Sequence, residues 1–139
     1  MGYKSPRSYT ISGNHTTVFS PADATAYAIG GSSPSIGTAG STRRIYLPTG
    51  GVVRSVCLSI CSVTAIGTNE DWTVSITDGT TTVTVATTGI AQTVRTWINQ
   101  NINLPVVSGG YIYLTTTTPT WVTNPEGCSA FYVIVIDYE

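Results

Sequence analysis

Period-two alternation recurs in segments of the chain between residues 43 and 117, and no segment sustains a helical period. In a strand, successive side chains leave opposite faces, so alternation marks a sheet with one buried face. Val56, Leu58 and Ile60 point one way while Ser55, Cys57, Ser59 and Cys61 point the other. Trp72, Val74 and Ile76 alternate with Thr73, Ser75 and Thr77, and Val83 and Val85 alternate with Thr82 and Thr84. Asp78-Gly79 stands between these last two runs. Such a dipeptide predicts a tight hairpin with a type I′ turn, whose two central residues both need positive φ.

Strands are expected at residues 25–29, 43–47, 52–63, 72–77, 82–85, 94–104, 111–117 and 129–137. About eight short strands separated by turns imply an all-β fold, a two-sheet antiparallel β-sandwich that is jelly-roll-like. The sandwich domain is expected over residues 42–139. Residues 1–41, rich in Gly, Ser, Thr and Pro, are expected to form an extended N-terminal arm with one short strand. The arm keeps Tyr3, Tyr9, Ile11 and Phe19, more large apolar side chains than a free tail carries. It is expected to dock on its own domain or on a neighbour, with these four residues as candidate anchors to a partner. The last strand is apolar at Phe131, Tyr132, Val133, Ile134, Val135 and Ile136. One face suffices for a sandwich core, so the other must meet an arm, a loop or another subunit. Tyr132, Ile134 and Ile136 are therefore candidate interface residues, together with Trp121.

Only 9% of the residues are charged, and the formal net charge is −1. An average domain carries about 25%. A surface of Thr, Ser, Asn and Gly can be dried at little electrostatic cost, because a hydroxyl or amide is far cheaper to desolvate than an ion. A large part of this surface is expected to be covered in the working assembly. Arg43-Arg44 is the only basic pair, so no nucleic-acid partner is expected. No apolar stretch approaches the ~20 residues of a membrane helix, and no membrane association is expected. Residues 1–6 lack the apolar block of a signal peptide, which points to synthesis and retention in a cytoplasm. Cys57 and Cys61, four residues apart on one strand, would lie about 13 Å apart, beyond disulfide reach. With Cys128 they are expected to be buried thiols acting as small apolar residues.

No catalytic constellation stands out, and neither a cofactor nor a metal is expected. His15 is the only histidine and lies in the Gly-rich arm, where it reads as a surface residue. A catalytic base must be held in place, which a flexible arm does not do. Asn14-His15-Thr16 matches the N-glycosylation pattern, a chance match if the chain is not exported. Glu70-Asp71 reads as a solvated pair opening a strand, and no two carboxylates suggest a glycosidase pair. Trp72 and Trp97 are expected in the core. Trp121, between Pro119 and Pro125, either caps the fold or touches a partner.

Residues 67–139 resemble a domain of tailed-phage virion proteins. The likeness is carried by Trp72-Thr-Val-Ser-Ile-Thr-Asp-Gly79, by Val106-Val107-Ser108-Gly109-Gly110-Tyr111-Ile112-Tyr113-Leu114, by Thr118-Pro-Thr-Trp-Val-Thr-Asn-Pro125 and by the apolar terminal strand. The resemblance implies a jelly-roll module of a capsid decoration (cement) protein or of a tail-fibre tip, usually a homotrimer. It further implies the major capsid protein or other virion proteins as partners, and a place in the virion after synthesis in the host cytoplasm. A decoration protein needs a small domain, a reaching arm and a low-charge underside. A receptor-binding tip, which recognises a cell-surface glycan or protein, needs a pocket and a fibre shaft, and no heptad or β-helix repeat is present. A chain that starts at Met1 and carries no shaft is thus expected to be a decoration protein, with the tip as the alternative. Deleting residues 1–20 is expected to leave a folded domain that no longer attaches. Under the alternative, Trp121→Ala should abolish receptor binding.

Overall fold

The computed structural model describes residues 7–31, 36–63, 70–88 and 94–138. Its strands are β1 (Arg7–Phe19), β2 (Ala26–Ile29), β3 (Ile45–Tyr46), β4 (Gly51–Cys61), β5 (Trp72–Thr77), β6 (Thr82–Thr88), β7 (Val94–Asn99), β8 (Leu104–Val106), β9 (Tyr111–Thr117) and β10 (Cys128–Tyr138). One sheet runs β1-β10-β4-β7, with β8 also on β4; the other runs β2-β9-β5-β6, with β3 also on β9. The pairing is nested and antiparallel. β1 lies with β10, β2 with β9, β4 with β7 and β8, and β5 with β6. That is one long hairpin ribbon. Rolling it up brings β10 against β4 and β9 against β5, which produces the jelly roll.

The period-two runs supply the core. Val56, Leu58 and Ile60 of β4, Trp72, Val74 and Ile76 of β5, Ile112 and Leu114 of β9, and Ile134 and Ile136 of β10 are all fully buried. Trp72 meets Trp97 and Trp121 edge to face, each at a centroid distance of 5.3 Å. Edge-to-face pairs of this kind add about 0.5–1.5 kcal/mol each beyond area burial. The Trp97 indole N–H donates to the Trp72 carbonyl at 2.8 Å, and that of Trp72 donates to the Thr116 hydroxyl, so both polar edges are satisfied.

Residues 7–29, expected within an arm, contribute a strand to each sheet. β1 pairs with β10 from Arg7 opposite Tyr138 to His15 opposite Ala130. Tyr9, Ile11 and Phe19 are partly buried against the core, the Tyr9 hydroxyl donates to the Thr49 carbonyl at 2.8 Å, and Phe19 meets Tyr27 edge to face. These three side chains therefore anchor the segment to its own sandwich; Tyr3 lies outside the described residues. The alternation in β1 is masked by two positions. Gly13 faces Tyr132, and a Cβ there would fall 2.7 Å from the hydroxyl-bearing ring carbon. His15 sits opposite small Ala130, and each partner's size complements the other's. His15 is buried rather than at the surface, with Nε2 accepting the Gly30 N–H at 3.0 Å.

Two further details differ from expectation. The β5–β6 hairpin turns one residue later. Asp78 and Thr81 close it, and Gly79 at the first central position has φ +93° while no positive φ occurs at Thr80. Glycine first is the type II′ pattern rather than I′. The Asp78 carboxylate accepts the Thr80 and Thr81 N–H groups, and that is what the aspartate contributes. The strand expected over 94–104 is broken at 100–103, where Ile102 folds into the core and its N–H donates to the Arg54 carbonyl at 3.0 Å.

Candidate interaction surface

β10 divides its apolar residues between two faces. Tyr132, Ile134 and Ile136 point into the sandwich, with 2%, 0% and 0% exposure. As interface candidates they are corrected: the protomer's own core occupies them, because they share a face with Ala130 and with the inward residues of β4. The outward residues are Phe131, Val133 and Val135, of which Phe131 is 49% exposed and the two valines are half-buried.

Strand register extends this outward face into three rows. Thr10, Val135 and Ser55 form one; Ser12, Val133, Cys57 and Ile98 form the next; Asn14, Phe131, Ser59 and Thr96 form the third. None of these eleven side chains is charged. Ile98 is 55% exposed, so apolar groups continue from β10 across to β7. The ion pair Arg54–Asp137, at 3.2 Å, marks one end of the sheet. At the other end, where the β1–β10 ladder is interrupted between His15 and Phe19, a groove of about 280 Å³ is lined by Asn14, Thr16, Val18, Cys61 and Phe131 among others. The cysteines are free and lie at three depths. Cys57 is half-buried and Cys61 exposed on this outward face, whereas Cys128 is buried, and burial pushes its thiol up to about 11. The expectation of three buried thiols thus holds for Cys128 alone.

Trp121 is buried at the loop end of the sandwich, so it caps the fold. Its indole N–H donates to the Ala22 carbonyl at 3.2 Å, and its backbone N–H donates to the Asp23 carboxylate at 3.0 Å. Glu70 is buried beside it, with a carboxylate oxygen accepting the Val122 N–H; it is not solvated. Among the described residues, no three His, Cys, Asp or Glu side chains gather as metal ligands would.

A second cluster had no signal in the alternation, because its members are spread over two strands and a loop. Tyr46 and Tyr111 are cross-strand partners, Tyr113 follows on β9, and Arg44 lies over the Tyr111 ring. The cluster sits on the outer face of the other sheet.

No family model matches the chain, and no curated protein matches it. Among solved structures, a chain in the structure of infectious bursal disease virus, Gx strain, is similar over 97% of this chain, with a TM-score of 0.50 and 17% identity. The similarity covers 32% of that chain, so the present chain spans about a third of its length. At this identity the likeness is one of fold alone.

Proposed function

We propose that this chain is a non-enzymatic structural protein of a virus particle, acting as a capsid decoration (cement) protein. The observation that carries the proposal is the uncharged middle of the outward face of β1-β10-β4-β7, with its apolar strip of Phe131, Val133, Cys57 and Ile98. A sheet face that meets only water has no need of such a strip, whereas an interface core is depleted of charge in the same way. The similarity of fold to a chain from a virus structure supports the same reading. The partner is then the major capsid protein or another virion protein, and the chain works as a homotrimer. Each contact buries on the order of 800 Å² per partner, and trivalent attachment raises the effective affinity further. The anchoring role moves from Tyr9, Ile11 and Phe19 to the outward residues of β10, since the former hold β1 in place.

Phe131→Asp sets a charge in the middle of the face. It is expected to abolish attachment to undecorated shells in co-sedimentation and to leave the far-ultraviolet dichroism unchanged. Val122→Asp, at a side chain 85% exposed in the β9–β10 loop, should attach normally. Attachment of Phe131→Asp at wild-type occupancy would show that this face does not bind the shell. A second reading, a tail-fibre tip that recognises a cell-surface ligand, is favoured by one observation, the tyrosine–arginine cluster on the opposite sheet.

A further inference from the structure

The two sheets of a sandwich turn their outer faces in opposite directions. A chain attached through β1-β10-β4-β7 therefore turns the outer face of β2-β9-β5-β6 away from its attachment. At one end of that face four side chains form a platform. The Tyr46 and Tyr111 rings meet edge to face at 5.8 Å, and Tyr113 lies nearly parallel to Tyr111 at 6.2 Å. The Arg44 guanidinium lies 4.2 Å from the Tyr111 centroid, and its Nη1 donates to the Tyr46 hydroxyl at 3.4 Å. Two glycines pack against the platform: a Cβ on Gly40 would fall 2.5 Å from the Tyr113 ring, and Gly79 abuts the Tyr111 hydroxyl. The groups are thus held before any ligand arrives, which reduces the ordering cost of binding.

Two features define what such a platform takes. Arg44 has no carboxylate partner among the described residues, so its charge is open to an incoming anion. Tyr46 is 61% exposed and offers an aromatic ring beside that charge. The surrounding outer face is hydroxylic, with Thr73, Ser75, Thr84, Thr87, Thr115 and Thr117 in register across β6, β5 and β9. A protein hot spot is ringed by contacts that exclude water. Hydroxyls around an aromatic suit a sugar better, since they exchange hydrogen bonds with its hydroxyls. We infer that the Arg44–Tyr46–Tyr111–Tyr113 platform binds a saccharide carrying a carboxylate, a uronic or sialic acid unit. Arg44 takes the carboxylate in a charge-assisted hydrogen bond, and the Tyr46 ring takes an apolar face of the sugar. The inference rests on the second reading of function, that this cluster serves recognition, and it names the ligand class.

The test is titration of the ¹⁵N-labelled full chain with 3′-sialyllactose, trigalacturonic acid, lactose and a hexaglutamate peptide, following the Gly40, Arg44, Gly79 and Tyr111 amides. At least one acidic saccharide should shift these resonances, with lactose about tenfold weaker or worse. Arg44→Gln should weaken that binding about tenfold, the effect of removing one hydrogen bond to a charged group, and Arg44→Lys should restore part of it. Tyr46→Ala, at an exposed position, should also weaken it, and unmoved core amides such as Ile76 report that each variant is folded. Lactose binding as tightly as the acidic sugars would overturn the carboxylate and leave recognition standing. Binding of hexaglutamate alone would overturn the saccharide. Silence from all four probes would overturn both the inference and the recognition reading beneath it.

Discussion

Cys61, Cys57 and Cys128 stand at three depths, and their chemistry should follow. Iodoacetamide at pH 8 is expected to alkylate Cys61 first, Cys57 more slowly and Cys128 only after unfolding, as peptide mass mapping over time would record. Burial raises the Cys128 thiol to about 11, while its ordinary value is 9.0. Between those values the folded chain keeps a proton that the unfolded chain has released, so stability falls as pH rises from 9 to 11. A shift of this size is worth on the order of 2 kcal/mol. The Tyr132 phenol, also raised by burial, acts in the same direction at higher pH. Urea unfolding at pH 8 and pH 11 should show the loss, and Cys128→Ala should show a smaller one; equal losses would assign it elsewhere. Trp121→Ala is now a stability variant, expected to cost about 3–5 kcal/mol as a buried aromatic and to leave ligand recognition untouched in the folded fraction. What the sequence hid at this scale was partnership. Gly13 and His15 look like loop residues until Tyr132 and Ala130 are set opposite them, and a residue's burial depends on a neighbour more than a hundred positions away.

Among the elements, β4, β5 and β9 were legible from their alternation and β10 from its unbroken apolar run: all four lie within a few residues of where the pattern put them. The pattern also announced that β10 is apolar on both faces, but not which face the core would take. That depends on the register with β4, where Ile134 meets Val56 and Val133 meets Cys57. A shift of one residue would have exchanged the two faces. In sequence β1 resembles an arm because its inward positions hold a glycine and a histidine as well as Tyr9 and Ile11. With β1 placed beside β10, the expected effect of truncation changes. Removing residues 1–20 strips an edge strand, uncovers the edge of β10 and deprives the Gly30 N–H of its His15 acceptor. The truncated chain should unfold at lower urea concentration or aggregate, as size-exclusion chromatography and urea titration would reveal. Wild-type stability after truncation would return the segment to the status of a separable arm. At the β5–β6 hairpin, Gly79→Ala should cost more than about 1 kcal/mol, since it joins a positive φ to a close approach by Tyr111.

On the scale of the whole molecule, the low charge content acquires a location. The rows across β1, β10, β4 and β7 carry hydroxyls and an apolar strip, the opposite sheet carries threonines and a tyrosine platform, and among the described residues the charges lie at ends and loops or are buried. Composition alone announced a surface that is cheap to cover. It could not say which of two faces is covered, because serine and threonine are distributed over both. As a homotrimer the protein should scatter light at three times the protomer mass at micromolar concentration, and a clean monomer would contradict that. The most direct measurement is a cryo-electron microscopy map of a particle carrying this protein, at a resolution that places side chains. Phe131, Val133 and Ile98 should lie in van der Waals contact with another virion subunit, their sheet facing the shell. A map with those three side chains in open solvent, and the chain held by some other surface, would contradict it.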